Sequence, residues 1–270
     1  MITFAQKYPN SMALVFQNPI TINGNVFFAS DFHLGSPNER ESKEREHKII
    51  DWLNEIKNEV THLFLLGDIF DFWFEYKDVV PAGYYNFLSK LSKLRARGVK
   101  IYYFTGNHDM WVRTYFEREL GFKIFREQQA FMINGKRCLV AHGDGLGPKD
   151  IGYKFIKTIF AFRPNQKLYA CLHPTWAFAI ARFCSKKSRA MTSTAEEKFM
   201  GNEKEFLVQY ALSVLKNESI DFFIYAHRHL PLEIQLNEGS KYFNTGDWLI
   251  HDSFVAFKES DKKPYLCSLK

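Results

Sequence analysis

The chain has no run of about 18 uninterrupted apolar residues, so no helix is expected to span a bilayer. The nearest candidate, Leu168 to Cys184, is broken by His173, Pro174 and Arg182. Met1 to Asn10 lack the basic region and apolar run of a secretory signal. The four cysteines, Cys138, Cys171, Cys184 and Cys267, lie far apart and form no Cys-x-x-Cys pair. Reduced thiols in a cytosolic protein, without a structural zinc, are therefore expected. There is no internal repeat and no low-complexity segment. Acidic residues are fewer than basic ones, 30 against 36, which leaves a net charge of +6 and a sequence pI near 9.0. That balance favours a polyanionic partner: nucleic acid, a phosphorylated substrate or an acidic membrane surface. The lysines and aromatics form no familiar nucleic-acid motif, so nucleic acid is not expected.

What the chain does have is a large apolar fraction, 46% of 270 residues, with 27 phenylalanines. This suffices for one large α/β domain or for a domain with an inserted cap. Some of the phenylalanine can serve a lipid rather than a core. The central stretch is Leu63-Phe64-Leu65-Leu66-Gly67-Asp68, an apolar run too short for a helix that ends at a glycine and a carboxylate. Alone, Asp68 would read equally well as a helix cap. The pattern recurs, however. Val26 to Ser30 runs into Asp31-Phe32-His33, and Lys100 to Thr105 into Gly106-Asn107-His108-Asp109. Arg137 to Ala141 runs into His142-Gly143-Asp144, and Asp221 to Ala226 into His227-Arg228-His229. Apolar strands that each deliver Asp, Asn or His at the carboxyl end predict a converging metal site, in the crevice where α/β sheets bind their ligands.

Other elements follow from local signals. Ser36-Pro37-Asn38-Glu39 opens a helix whose buried face is Ile49, Ile50, Leu53 and Ile56. A second helix runs from Pro81 to about Arg97 and stops at Gly98. A third lies near Trp111 to Leu120, followed by a short strand at Phe122 to Phe125. Phe131 to Val140 reads as a hairpin turning at Asn134-Gly135. The aromatic segment Asp71 to Tyr76 reads as a hydrophobic wall over the sheet edge. From about Asp150 to Leu215 the pattern is helical, with lysine and arginine alternating with aromatics. This interval reads as a helical cap inserted into a domain made of residues 1–149 and 216–270. Basic amphipathic helices of this kind suit an anionic membrane surface. Glu233 to Lys270 reads as antiparallel strands with a Gly246-Asp247-Trp248 loop.

The strand ends supply Asp31, His33, Asp68, Asn107, His142, His227 and His229. A mixed oxygen and nitrogen set suits Mn, Fe, Zn or Co better than Mg or Ca. Seven donors are too many for one catalytic ion with an open position, and fit two ions if a carboxylate bridges them. Asp68 is the natural bridge, being on the central strand. Two ions about 3.5–4 Å apart activate a water and bind a phosphoryl oxygen.

This set resembles the calcineurin-like metallophosphoesterase family, whose motifs are Asp-x-His, Gly-Asp-x-x-Asp, Gly-Asn-His-Asp/Glu, a His after a strand, and Gly-His-x-His. They stand here as Asp31-Phe32-His33, Gly67 to Asp71, Gly106 to Asp109, His142-Gly143-Asp144 and Ala226 to His229, with Ala226 where the family usually has glycine. The resemblance implies an αββα four-layer sandwich. It implies one metal on Asp31, His33, Asp68 and His229, and a second on Asp68, Asn107, His142 and His227. His108 would touch the phosphoryl group or protonate the leaving oxygen, with Asp109 orienting it, although a loop hydrogen bond explains Asp109 and Asp71 equally well.

A narrower resemblance lies in Ser30 to Gly35, Gly67 to Trp73 and His142 to Leu146, followed by Asp150 and Tyr153. These are similar to the UDP-2,3-diacylglucosamine pyrophosphatase family of lipid A biosynthesis. That implies release of UMP and 2,3-diacylglucosamine 1-phosphate by attack of a metal-held hydroxide on phosphorus, with manganese as the expected metal. It implies a lipid-linked UDP-sugar substrate and a peripheral position on the cytoplasmic face of an inner membrane. Asp150 and Tyr153 match positions near the family's sugar site, and Asn107 would also face substrate. Ser188 and Arg189 match its lid loosely, and Lys198 stands in for a lid lysine. His108 departs from the arginine many members carry. Two alternatives remain at this point: a phosphodiesterase or phosphatase for a soluble nucleotide or phosphoprotein, and a non-catalytic scaffold. The scaffold should have lost ligands, and this chain keeps all seven.

Overall fold

The computed structural model describes residues 14–147, 157–196 and 198–269, the side chains of 186–196 excepted. The strands are β1 (Ile20–Ile22), β2 (Val26–Ala29), β3 (His62–Leu66), β4 (Lys100–Phe104), β5 (Lys123–Phe125) and β6 (Gln129–Ile133). They continue as β7 (Lys136–Val140), β8 (Phe222–Tyr225), β9 (Pro231–Asn237), β10 (Ser240–Thr245), β11 (Ser253–Phe257) and β12 (Tyr265–Ser268). The helices are α1 (Glu39–Ile56), α2 (Tyr85–Ala96), α3 (Tyr115–Leu120), α4 (Arg163–Ala170), α5 (Pro174–Glu196) and α6 (Phe206–Leu215). One sheet has the order β12-β11-β2-β3-β4-β5 and the other β1-β6-β7-β8-β10-β9.

Alternation along each strand builds the layers, because successive side chains point to opposite faces. Phe27, Ala29, Leu63 and Leu65 face α1, α2 and α3 across Ile49, Trp52, Leu53, Phe87, Leu91 and Phe116. Val26, Phe28, Phe64 and Leu66 face the second sheet and meet Phe131, Val140, Phe222, Ile224 and Phe243. On that sheet's far side, Leu139, Phe223, Tyr225 and Tyr242 pack on Leu207, Val208, Ala211 and Val214 of α6. The result is the expected αββα sandwich. With both faces covered, the central strands are near-continuous apolar runs, which is why they could be read from the sequence.

Three expected boundaries change. Helix α6, expected in the cap, is the outer layer of the second sheet, because its apolar side chains fit Phe223 and Tyr225. Helix α2 starts at Tyr85 rather than Pro81. Helix α3 starts at Tyr115, since Trp111 is occupied by a bridge to Phe74. Helix α1 opens within Ser36 to Glu39 as expected, with Asn38 as its cap, the side chain accepting the Glu41 N–H at 3.0 Å. No helix among the described residues is long and apolar enough to cross a membrane.

Strands β2, β3 and β4 are mutually parallel, as are β7, β8 and β10. Their carboxyl ends therefore open on one rim, where the two sheets meet.

Candidate metal centre

Asp31 and His33 follow β2, Asp68 follows β3, Asn107 and His108 follow β4, His142 follows β7, and His227 and His229 follow β8. Donor atoms converge within 4.8 Å in three linked groups: Asp31, His33 and His229; His33, Asp68 and His108; Asp68, His142 and His227. Asn107 Oδ1 joins the last group, 3.3 Å from His142 Nε2. Asp68 stands between the two ends. Its Oδ2 is 3.4 Å from His142 Nε2 and 3.9 Å from His33 Nε2.

The backbone is held in unusual conformations to achieve this. Asp31, His33, Asp68, His227 and His229 all have positive φ, between 42° and 70°. Left-handed backbone at non-glycine residues is uncommon and costs about 1–3 kcal/mol each, so it persists only where surroundings enforce it. Here the enforcement is visible. His33 N–H donates to the Asp68 carbonyl at 2.9 Å, Asp31 N–H to the Gly67 carbonyl at 3.1 Å, and buried Arg45 donates to the His33 carbonyl at 3.0 Å. The glycines beside Asp68 give it room. A Cβ on Gly106 would lie 2.2 Å from Asp68 Oδ1, and one on Gly67 would lie 2.7 Å from His142 Nδ1.

A second set of partners aims the rings. His142 Nδ1 lies 2.7 Å from the Leu66 carbonyl, which turns Nε2 to the site. His229 Nδ1 lies 3.5 Å from Asp247 Oδ2. Asp247 was read only as part of a loop. It follows β10, which pairs parallel with β8, so it repeats the strand-end pattern of the other carboxylates. Arg228, between His227 and His229, is buried in a bidentate pair with Glu205 at 2.8 and 3.1 Å.

His108 and Asp109 divide differently from the sequence expectation. Asp109 does not orient His108. Its carboxylate accepts the Gly106 N–H at 2.7 Å, the Ile69 N–H at 2.9 Å and the Tyr103 hydroxyl at 2.5 Å, so it braces two site loops. Burial, reinforced by Asp68, pushes its carboxyl up to about 6. Asp71 takes the orienting position: His108 Nδ1 is 3.1 Å from its carbonyl and 3.6 Å from its Oδ1.

Of the expected substrate contacts, Asp150 and Tyr153 lie outside the described residues, as does the side chain of Ser188. Lys198 is exposed. Helices α4 and α5 rest on the aromatic segment after Asp68. Phe72 meets Phe178 at 5.3 Å between ring centroids, Phe74 meets Tyr169 at 5.0 Å, and Trp111 meets Tyr169 at 4.7 Å. The expected hydrophobic wall is thus the seat of α4 and α5.

The donor set fits divalent cations. Asp31 Oδ1 is buried without a hydrogen-bond partner. Burial pushes the Asp31 and Asp68 carboxyls up, yet the facing imidazoles overrule it and hold both below the usual range. Burial likewise opposes charge on His142 and His229, but Asp68 pushes the first up to about 10, and Asp31 with Asp247 holds the second well above its ordinary value. Burial lowers His33 and His227, the latter to about 4, leaving both as neutral donors. Protons on His142 and His229 thus fill the role of positive charge between the carboxylates.

A pH dependence follows. Ions must displace those protons, so apparent affinity should rise with pH up to about 10, by up to about tenfold per unit for each proton released. Calorimetric titration in buffers of different ionisation heat measures the release; none at pH 7 would contradict it. In the ion-free protein the sign reverses. The raised His142 ring stabilises the fold fully below its ordinary 6.5, and that contribution is lost as pH climbs through about 10.

The model of the calcineurin-like phosphoesterase family matches residues 24–231. A Porphyromonas gingivalis protein named UDP-2,3-diacylglucosamine hydrolase is 32% identical over 246 residues, covering 86% of this chain and 93% of the relative. A Hamiltonella defensa protein of the same name is 26% identical over 206 residues, covering 76% of this chain and 77% of the relative. Among solved structures, Vacuolar Protein Sorting 29 from Cryptosporidium parvum aligns with a TM-score of 0.43 at 11% identity, covering 90% of this chain and 95% of that one. With the family's motifs on one rim and their donors gathered around Asp68, the chain belongs to the calcineurin-like phosphoesterases and is a metal-dependent hydrolase.

Proposed function

We propose that this hydrolase cleaves the pyrophosphate of UDP-2,3-diacylglucosamine, releasing UMP and 2,3-diacylglucosamine 1-phosphate in lipid A biosynthesis. The observation that carries the reading is the chemistry of the cap. Residues 151–195 contain eight Lys and Arg and no Asp or Glu. Large apolar side chains nevertheless stand exposed there: Phe162, Leu168, Trp176, Ile180 and Phe183. Trp176, Ile180 and Phe183 recur at helical spacing on one face of α5. An enzyme for a soluble nucleotide does not need such a surface, whereas a diacylated, phosphorylated sugar in an anionic bilayer matches both its features. The names of the relatives agree. We extend the reading to a peripheral position on the cytoplasmic face of the inner membrane, and to a cap comprising about residues 150–200.

In this reading Asp31, His33, Asp68 and His229 hold one ion, and Asp68, Asn107, His142 and His227 the other, with manganese the expected metal. Such a pair supplies Lewis acidity and a water of lowered pKa. The remaining work falls to the chain. Asp68 keeps the two donor sets in register, and Asp247 and the Leu66 carbonyl keep two imidazoles aimed. His108, held through Nδ1 at Asp71, presents Nε2 to the phosphoryl group or leaving oxygen. Asp150, Tyr153, Ser188 and Lys198 are assigned to sugar and lid contacts.

The test is turnover of UDP-2,3-diacylglucosamine in detergent with added manganese, beside a UDP-sugar without acyl chains. Release of UMP from the lipid alone supports the assignment. Cleavage of the soluble compound with none of the lipid overturns it and leaves the metallophosphoesterase chemistry intact. Glutamate at Trp176, Ile180 and Phe183 together should cut lipid turnover at least about tenfold while sparing a small chromogenic phosphodiester; equal losses would make the stripe merely structural.

A further inference from the structure

Ser185 is the point at which the cap reaches the chemistry. It lies on α5, 77 residues beyond His108 and 114 beyond Asp71, and is 8% exposed while Arg182, Phe183 and Cys184 are exposed. Its hydroxyl donates to Asp71 Oδ1 at 2.9 Å, and the same oxygen lies 3.3 Å from His108 Nδ1. Asp71 in turn holds that ring, with its carbonyl 3.1 Å from Nδ1. One helical face of α5 carries two contacts with this segment: Phe178 packs edge-on against Phe72, and two turns later Ser185 reaches Asp71. The outward face carries Trp176, Ile180 and Phe183. A serine inside a helix has little intrinsic reason to be there. Buried against a carboxylate and an imidazole, this one has a specific partner.

We propose that Ser185 is a positioning residue: seated with α5, it fixes Asp71 and, through Asp71 and its own hydroxyl, the His108 ring, so that turnover depends on the cap being docked. The cap thereby acts on phosphoryl chemistry as well as on substrate capture. The inference rests on the role given above to His108.

The experiment is a double-mutant cycle of Ser185→Ala and His108→Ala, with bis(p-nitrophenyl) phosphate as substrate and bound manganese measured for every variant. Ser185→Ala should lower kcat about 10–100-fold, the range for outer partners of a site, with KM changed less than about threefold and ion content unchanged. In the His108→Ala background the same change should cost less than about twofold, because the residue acts through that ring. Ser185→Thr keeps the hydroxyl and should recover most of the rate. Independent, multiplicative losses would overturn the proposal, as would an unchanged kcat for Ser185→Ala or a loss that Thr fails to restore. Should Ser185→Ala shed ions or fail to fold, Ser185→Cys carries the same cycle with less loss of volume. If His108→Ala is itself fully active, the role of His108 falls. If only Ser185→Ala is fully active, the positioning role alone falls.

Discussion

Asp68→Ala should lose both ions and lose turnover with them. Asp68 belongs to two of the three donor groups, is 1% exposed, and lies 3.4 Å from His142 on one side and 3.9 Å from His33 on the other. Alanine leaves the charged His142 ring buried without its nearest counter-charge, which is costly in a dry site. Activity should fall more than about 10³-fold, beyond the 10–100-fold usual for outer partners of a metal site. His142 would also lose the main cause of its raised pKa. Mass-spectrometric metal analysis after gel filtration decides the matter. Two ions retained per chain would sink the assignment of Asp68 as the bridge. Asp68→Asn is the companion variant, since asparagine tolerates the φ of 52° found there and keeps the shape while removing the charge and one acceptor oxygen.

His108→Ala should do the opposite: keep the ions and lose the rate. What ties this residue to the centre is its main-chain N–H, which donates to Asp68 Oδ1 at 2.8 Å and survives the substitution. The ring is 13% exposed, its Nδ1 is held by Asp71 and Ser185, and it meets the His33 ring edge-on at 4.7 Å between centroids. It can therefore meet substrate without supporting the fold. A positioned acid is worth about 10²–10⁴-fold, and that is the loss expected in kcat. Unchanged turnover would remove His108 from the mechanism. Loss of an ion would instead make it a ligand, as its grouping with His33 and Asp68 allows.

The strand ends were legible because both sheets are covered on both faces, so Leu63 to Leu66 and Phe222 to Tyr225 are unbroken apolar runs with a polar stop. The Asn134-Gly135 turn was legible for its backbone preference, Asn134 having φ 49° and Gly135 φ 76°. Other features depend on where loops fold back. Asp71 and Asp109 both sit next to ligands in the chain, and only the path of the β3 and β4 loops decides which reaches the His108 ring. Helix α6 looks as amphipathic as the cap helices, and periodicity cannot say whether an apolar face covers a sheet or a substrate. Ser185 in a basic helix reads as solvated until the helix is seated. The antiparallel reading of Glu233 to Lys270 holds, since β9 pairs antiparallel with β10 and β11 with β12; Asp247 was overlooked because β10 also pairs parallel with β8, a partner outside that segment.

The rim where the sheets meet also bears on how the molecule assembles. Asp31 and His33 come from one sheet and His229 from the other; Asp68 comes from one, His142 and His227 from the other. Neither proposed ligand set is complete on a single sheet, although the group of His33, Asp68 and His108 comes from one sheet alone. Its parts are separated by up to about two hundred residues of chain, and such long-range closures come late in folding. An ion can be captured with full affinity only after the Phe28, Phe64, Phe131 and Ile224 interface has closed. The residues that would hold it come from both sheets, so a bound ion would tie them at their open edge, and chelation should raise hydrogen exchange first in the turns that follow β2, β3 and β8.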